Sequence, residues 1–125
     1  MAAPCRAIEV HRECDPTAPY AAILRLRGEH DYGTAPEIAD SLSRLPSSVL
    51  VDVTECSFVD SSVVAVLLST SRGIAEAGGQ FTVTTIRDSI VDRAFEILGL
   101  PAVIDLQRVS PAHDASPGDA DEDDA

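Results

Sequence analysis

An acid and two hydroxyls stand together in Phe58-Val59-Asp60-Ser61-Ser62-Val63-Val64. Such a cluster can cap a helix, because Ser and Asp side chains accept the free N–H groups of a first turn. It can also present a hydroxyl for phosphorylation, since a helix start carries unpaired donors and a partial positive charge that tolerate an anion. A third use, as a nucleophile, needs a base. His30, in Gly28-Glu29-His30-Asp31, would have to supply it. A nucleophile elbow reads Gly-x-Ser-x-Gly, and here Val59 and Val63 hold the glycine positions, so a hydrolase triad of Ser61, His30 and an aspartate is set aside. Nor is there a phosphate-cradling loop, since Gly78-Gly79 precedes a strand rather than a helix. The chain therefore reads as a non-enzyme, with no catalytic residue and no cofactor. Residue types alone favour capping over phosphorylation at Ser61 and Ser62, and both readings stay open. Asp60 reads as the residue that caps or orients the turn, with a partner contact as second reading. Asp31 is a turn residue or a partner contact, and His30 an exposed loop residue. Cys5, His11 and Cys14 match no zinc spacing and lack a fourth ligand, so no metal site is expected.

The flanking pattern says what must hold these residues. Residues 5 to 12 form a weak strand, and Asp15-Pro16-Thr17-Ala18-Pro19 a turn. Ala21 to Arg27 alternates Ile23, Leu24 and Leu26 with outward Arg25 and Arg27, a strand ended by Gly28. Thr34, Pro36 and Glu37 form a capping box for a helix whose stripe is Ile38, Leu42 and Leu45, stopped by Pro46. Residues 48 to 53 are nearly all apolar, as in a strand covered on both faces, and the helical crossovers beside it imply parallel pairing. A helix runs from Val63 to a stop at Gly78-Gly79. Phe81 to Thr85 is a strand, and Asp88 or Ser89 caps a third helix carrying Ile90, Val91, Ala94, Phe95 and Leu98. Pro101 to Asp105 is a last short strand. The expected core is Ile23, Leu24, Leu26, Ile38, Leu42, Val49, Val51, Val64, Leu67, Leu68, Val83, Phe95 and Leu98.

This order predicts an α/β domain, with a mixed sheet of four or five strands covered by about three to four helices and right-handed crossovers. One domain occupies residues 1–109, and residues 110–125 form an acidic disordered tail. The tail's Asp114, Asp119, Asp121, Glu122, Asp123 and Asp124 supply half of the net charge of −12. That charge, with only 4% aromatics, excludes a nucleic-acid partner, which needs a cationic face or stacking rings. All nine basic residues are Arg. With no secretory pattern at the N-terminus and no apolar run near about 20 residues, the chain is expected to be cytoplasmic, with reduced thiols and no membrane insertion.

Taken in order, several motifs resemble one family. These are Gly28-Glu29-His30-Asp31, Val51-Asp52-Val53, Phe58-Val59-Asp60-Ser61-Ser62, Gly78-Gly79 and Leu98-Gly99-Leu100. The chain resembles a STAS domain of the bacterial anti-sigma-factor antagonist type, over roughly residues 5 to 107. The resemblance implies that Ser61 is phosphorylated by a partner kinase. Asp31, Asp60, Ser61 and Ser62 would contact that partner, an anti-sigma factor that is itself a serine kinase of the histidine-kinase-like ATPase fold. Binding would release sigma factor for RNA polymerase, phosphorylation would end binding, and a PP2C-type phosphatase would reverse it. The antagonist would act as a monomer or weak dimer. Two positions differ from the family pattern. Val63 replaces a glycine, and its β-branched side chain is expected to stiffen the first turn and narrow access to Ser61. His30 replaces a leucine. The Val63 change motivates the alternative, a non-phosphorylated STAS scaffold or a transport-system subunit.

Overall fold

The computed structural model describes residues 6–111, so Cys5 and the acidic tail from residue 112 lie outside the described residues. Five strands and three helices follow one another as β1 (Ala7–Arg12), β2 (Ala22–His30), α1 (Ala35–Ser43), β3 (Ser48–Val59), α2 (Ser61–Glu76), β4 (Gln80–Ile86), α3 (Ile90–Ile97) and β5 (Asp105–Val109). The strands lie side by side in chain order, β1 antiparallel to β2 and the rest parallel. The mixed five-stranded sheet with three helices is the architecture expected from the sequence.

Three crossovers that step the same way, with the right hand such connections almost always take, put α1, α2 and α3 on one face of the sheet. Burial follows that asymmetry. In β2, Ala22, Leu24 and Leu26 are sealed beneath the helices, while Arg25, Arg27 and Glu29 are exposed. On the open face Arg25 pairs with Asp52 and Arg27 with Glu55, across the β2–β3 boundary. β3 is accordingly not covered on both faces as its apolar run suggested. Val49, Val51 and Val53 are buried, and the intervening Leu50, Asp52 and Thr54 are partly exposed.

The core under the helices joins Leu24, Leu26, Ile38, Val49, Val51, Val64, Leu67, Val83 and Phe95. Each such side chain contributes about 1.5–3 kcal/mol of burial. Three expected core residues are not sealed. Leu68 is partly exposed but packs against this core, Ile23 is partly exposed, and Leu98, in the C-cap of α3, is 44% exposed. Leu100 takes the buried place instead.

Other boundaries also move. Gly28 does not end β2; it takes a left-handed backbone angle inside the strand, where β3 carries an extra residue opposite it. Residues 100–102 form a 3-10 turn rather than a strand, since Pro101 fixes its backbone angle and removes a donor, and β5 begins only at Asp105. α2 ends as expected. The Gly79 N–H bonds the Ile74 carbonyl and the Gly78 N–H bonds that of Ala75, with Gly78 left-handed. A Cβ on Gly79 would collide with the Ser47 carbonyl oxygen.

Candidate functional site

β3 sets the position of the acid–serine pair. Its last partner on β4 is Thr84, opposite Asp52; from there to Val59 it pairs with β2 alone. The β2–β3 ribbon thus runs on past the end of the sheet, and two register shifts let β3 carry extra residues along it. At its tip His30 stands opposite Val59, so the β2–α1 loop and the start of α2 meet.

Asp60 joins them. It is the N-cap of α2, in extended conformation, and its Oδ1 accepts the N–H groups of Ser62 at 2.9 Å and Val63 at 3.2 Å. Its Oδ2 accepts the N–H of Tyr32 at 3.1 Å. One carboxylate therefore satisfies two of the unpaired donors of a helix start and also ties down the loop. The capping and turn-orienting role expected of Asp60 is what the geometry gives.

Ser61 is the first residue of α2 and is exposed; Ser62 is partly exposed. Val63 does not narrow access to Ser61. Its side chain is 0% exposed and packs into the core, on the opposite side from solvent.

Asp31 organises the loop locally. Its Oδ1 accepts the Gly33 N–H at 2.9 Å, and its carbonyl accepts those of Thr34 and Ala35. That is turn chemistry. Its second carboxylate oxygen has no hydrogen-bond partner among the described residues.

His30 is not an exposed loop residue. It is 0% exposed, at the end of β2 on the helix-covered face. Nε2 donates to the Arg27 carbonyl at 2.9 Å, and Nδ1 lies 3.0 Å from the Thr34 hydroxyl. The Thr34 oxygen also accepts the Asp31 N–H at 3.3 Å. Thr34 precedes α1 but makes no side-chain capping bond, because its hydroxyl is engaged by His30 and Asp31; the expected capping box with Glu37 is absent. With both ring nitrogens occupied, His30 is not poised to take a proton from Ser61.

Two residues that sequence reasoning missed also stand here. Tyr32 is 75% exposed, and Phe58, opposite Glu29 in the ribbon, is 43% exposed. The available signal was position: both aromatics flank the acid–serine pair in space or in sequence.

A groove of about 540 Å³ lies between β1 and α1, bordered by Arg12 and Arg44, and one of about 410 Å³ between α1 and α2; neither touches Ser61. No His, Cys, Asp and Glu cluster suited to a metal occurs among the described residues, and His11 and Cys14 are both exposed. No described helix is long and apolar enough to cross a membrane.

Solved structures share this fold. The anti-sigma factor antagonist SpoIIAA in its unphosphorylated form aligns with a TM-score of 0.60 at 18% identity, covering 83% of this chain and 90% of that one. An anti-sigma factor antagonist from Mycobacterium paratuberculosis aligns with 0.64 at 19% identity, covering 86% and 87%. The Bacillus cell fate determinant SpoIIAA in the phosphorylated form aligns with 0.58 at 20% identity, covering 91% and 98%. No curated protein matches the sequence. The family model for the STAS domain matches residues 9–115, from β1 through the whole sheet and the ribbon that carries Ser61. With that span, and with the sheet order and helix placement found above, this chain belongs to the STAS domain family.

Proposed function

We propose that this protein is an anti-sigma-factor antagonist switched at Ser61. Bare, it binds an anti-sigma factor that is a serine kinase and thereby frees sigma factor for RNA polymerase. Phosphorylated at Ser61 by that kinase, it lets go, and a PP2C-type phosphatase restores it. Asp31, Asp60, Ser61 and Ser62 form the contact surface.

One observation carries this reading. Ser61 is exposed at the first position of α2, at the tip of a projecting ribbon, beside a carboxylate whose oxygens are already engaged. A hydroxyl exposed at the end of a ribbon is open to another protein's active site. In the transfer, the Ser61 oxygen bonds to the γ-phosphorus of ATP and the bond to the ADP oxygen breaks. The hydroxyl proton goes to a base that the kinase must supply, since His30 is buried with both nitrogens occupied. The product carries about −1.5 to −2 charges next to Asp60. A partner surface shaped for a neutral hydroxyl is then met by concentrated negative charge.

The alternative, a scaffold or transport-system subunit without the switch, drew its support from Val63. That side chain is packed into the core, and nothing in its placement favours the alternative over the switch.

The test is to incubate the chain with candidate serine-kinase anti-sigma factors and ATP and to weigh the intact protein. One added phosphate, mapped to Ser61 and lost in Ser61→Ala, is the expected result. No phosphate with any candidate, together with equal binding by wild type and Ser61→Ala, would leave the scaffold reading in its place.

A further inference from the structure

We propose that Tyr32 and Phe58 are the aromatic anchors through which the kinase partner recognises the Ser61 tip, and that the partner presents an apolar recess rimmed by Arg or Lys side chains. This rests on the antagonist reading given above and adds the chemistry of its partner.

The chain has two Tyr and three Phe. Phe81 and Phe95 lie in the core, and Tyr20 is partly buried. The two exposed aromatics are Tyr32 and Phe58, and both stand at the ribbon tip. A chain so poor in aromatics gains little in its own packing from leaving Tyr32 mostly, and Phe58 partly, in water. At a protein interface, a large ring with few rotatable bonds is an effective anchor, and Tyr is among the residue types enriched at energetic centres.

Tyr32 is also preorganised. Its N–H is held by Asp60 Oδ2, the next hydrogen bond closes the turn at Gly33, and Asp31 binds the following helix start. A loop fixed before binding loses less freedom on association than a mobile one. Phe58 sits in the β2–β3 ribbon, two residues before Asp60, and is likewise held by the ladder.

The charge around the rings specifies the rim. Glu29 is exposed beside Phe58, and Asp31 and Asp60 lie beside Tyr32; none of the three makes an ion pair among the described residues. Carboxylates that keep their net charge without an ion-pair partner, set around an apolar centre, are complementary to a cationic rim, which steers encounter and fixes register.

The test uses each serine-kinase anti-sigma factor encoded in the same genome, purified, with full-length wild type, Tyr32→Ala and Tyr32→Phe. Binding is read by calorimetry, and Ser61 phosphorylation as separate kcat and KM. Tyr32 is mostly in solvent, so Tyr32→Ala should keep the wild-type Tm. The expected result is binding at least about tenfold weaker for Tyr32→Ala. KM should rise in parallel with kcat little changed, and Tyr32→Phe should restore both. A partner that binds and phosphorylates wild type and Tyr32→Ala within twofold of each other overturns the anchor while leaving the antagonist reading intact. If no kinase in the set binds wild type, the reading beneath the proposal fails and the anchor falls with it.

Discussion

The carboxylate of Asp60 and the backbone N–H of Tyr32, 28 positions apart in sequence, meet at 3.1 Å. The same carboxylate caps α2 through Ser62 and Val63. Removing it frees three N–H groups at once. Asp60→Ala should therefore lower stability by about 1–2 kcal/mol, at the upper end for a lost cap. Thermal unfolding checks the magnitude, and amide exchange should show faster exchange at Tyr32 and Ser62. Slow exchange at Tyr32 in the variant would mean that the loop is held by other contacts.

A second link holds the other side of the loop. His30 fills a sealed position and bridges the Arg27 carbonyl to the Thr34 hydroxyl. Leucine matches the apolar surroundings but donates nothing, so His30→Leu leaves a part-buried carbonyl without its side-chain partner, at a cost of about 1 kcal/mol, the low end for a lost buried partner. His30→Ala adds a cavity and should cost about 2–5 kcal/mol. Urea unfolding at neutral pH separates the two if the slope with denaturant stays constant. Equal midpoints for His30→Leu and wild type would show that the bridge adds nothing to stability.

These two links mark the boundary of what the sequence makes legible. Asp60 and Ser89 are caps that residue type reveals, and both act as caps. The apolar alternation of β2 and β4 and the stripe of α1 are local patterns, and they place Leu24, Leu26, Ile38, Leu42 and Val83 in the core, though not Ile23. The far half of β3 is different. Thr54-Glu55-Cys56-Ser57 lies beyond the apolar run of residues 48 to 53, yet it is strand because β2 runs alongside it. His30 reads as a loop residue because the sealing surface comes from elements distant in sequence. Nothing in composition or period announces that Tyr32 and Asp60 meet, since a backbone N–H has no residue signature. Asp31, Asp60, Ser61 and Ser62 do gather at one tip, and that gathering follows from β2 and β3 pairing in parallel to the same level.

Thr85 offers a stabilising change. It is 0% exposed in β4, and its hydroxyl oxygen has no partner among the described residues. Burying an unpaired hydroxyl costs about 1–3 kcal/mol, and valine has nearly the same shape without the polar atom. Thr85→Val should raise stability by about 1 kcal/mol, seen as a higher Tm. A lower Tm would show that the hydroxyl finds a partner in solution.

The two described thiols should differ sharply in reactivity. Cys14 is exposed, whereas Cys56 lies in the β2–β3 ribbon with its Sγ donating to the Leu26 carbonyl at 3.3 Å. Burial, with smaller contributions from the charges of Asp52 and Glu55, pushes the Cys56 thiol up to about 12. The thiolate is the reactive form, so at pH 8 Cys56 is held almost wholly as the unreactive thiol. Limited alkylation with iodoacetamide at pH 8, followed by peptide mapping, should label Cys14 well before Cys56. The sign for stability follows from the same shift. The folded state holds the Cys56 proton more tightly than the unfolded chain, so this contribution is complete below about pH 8.5 and is lost as pH rises toward 12. Cys56→Ser should flatten that alkaline loss. Alkylation of Cys56 as fast as Cys14 would mean that the β2–β3 ribbon opens on the timescale of labelling, and the tip that presents Ser61 would then be mobile rather than fixed.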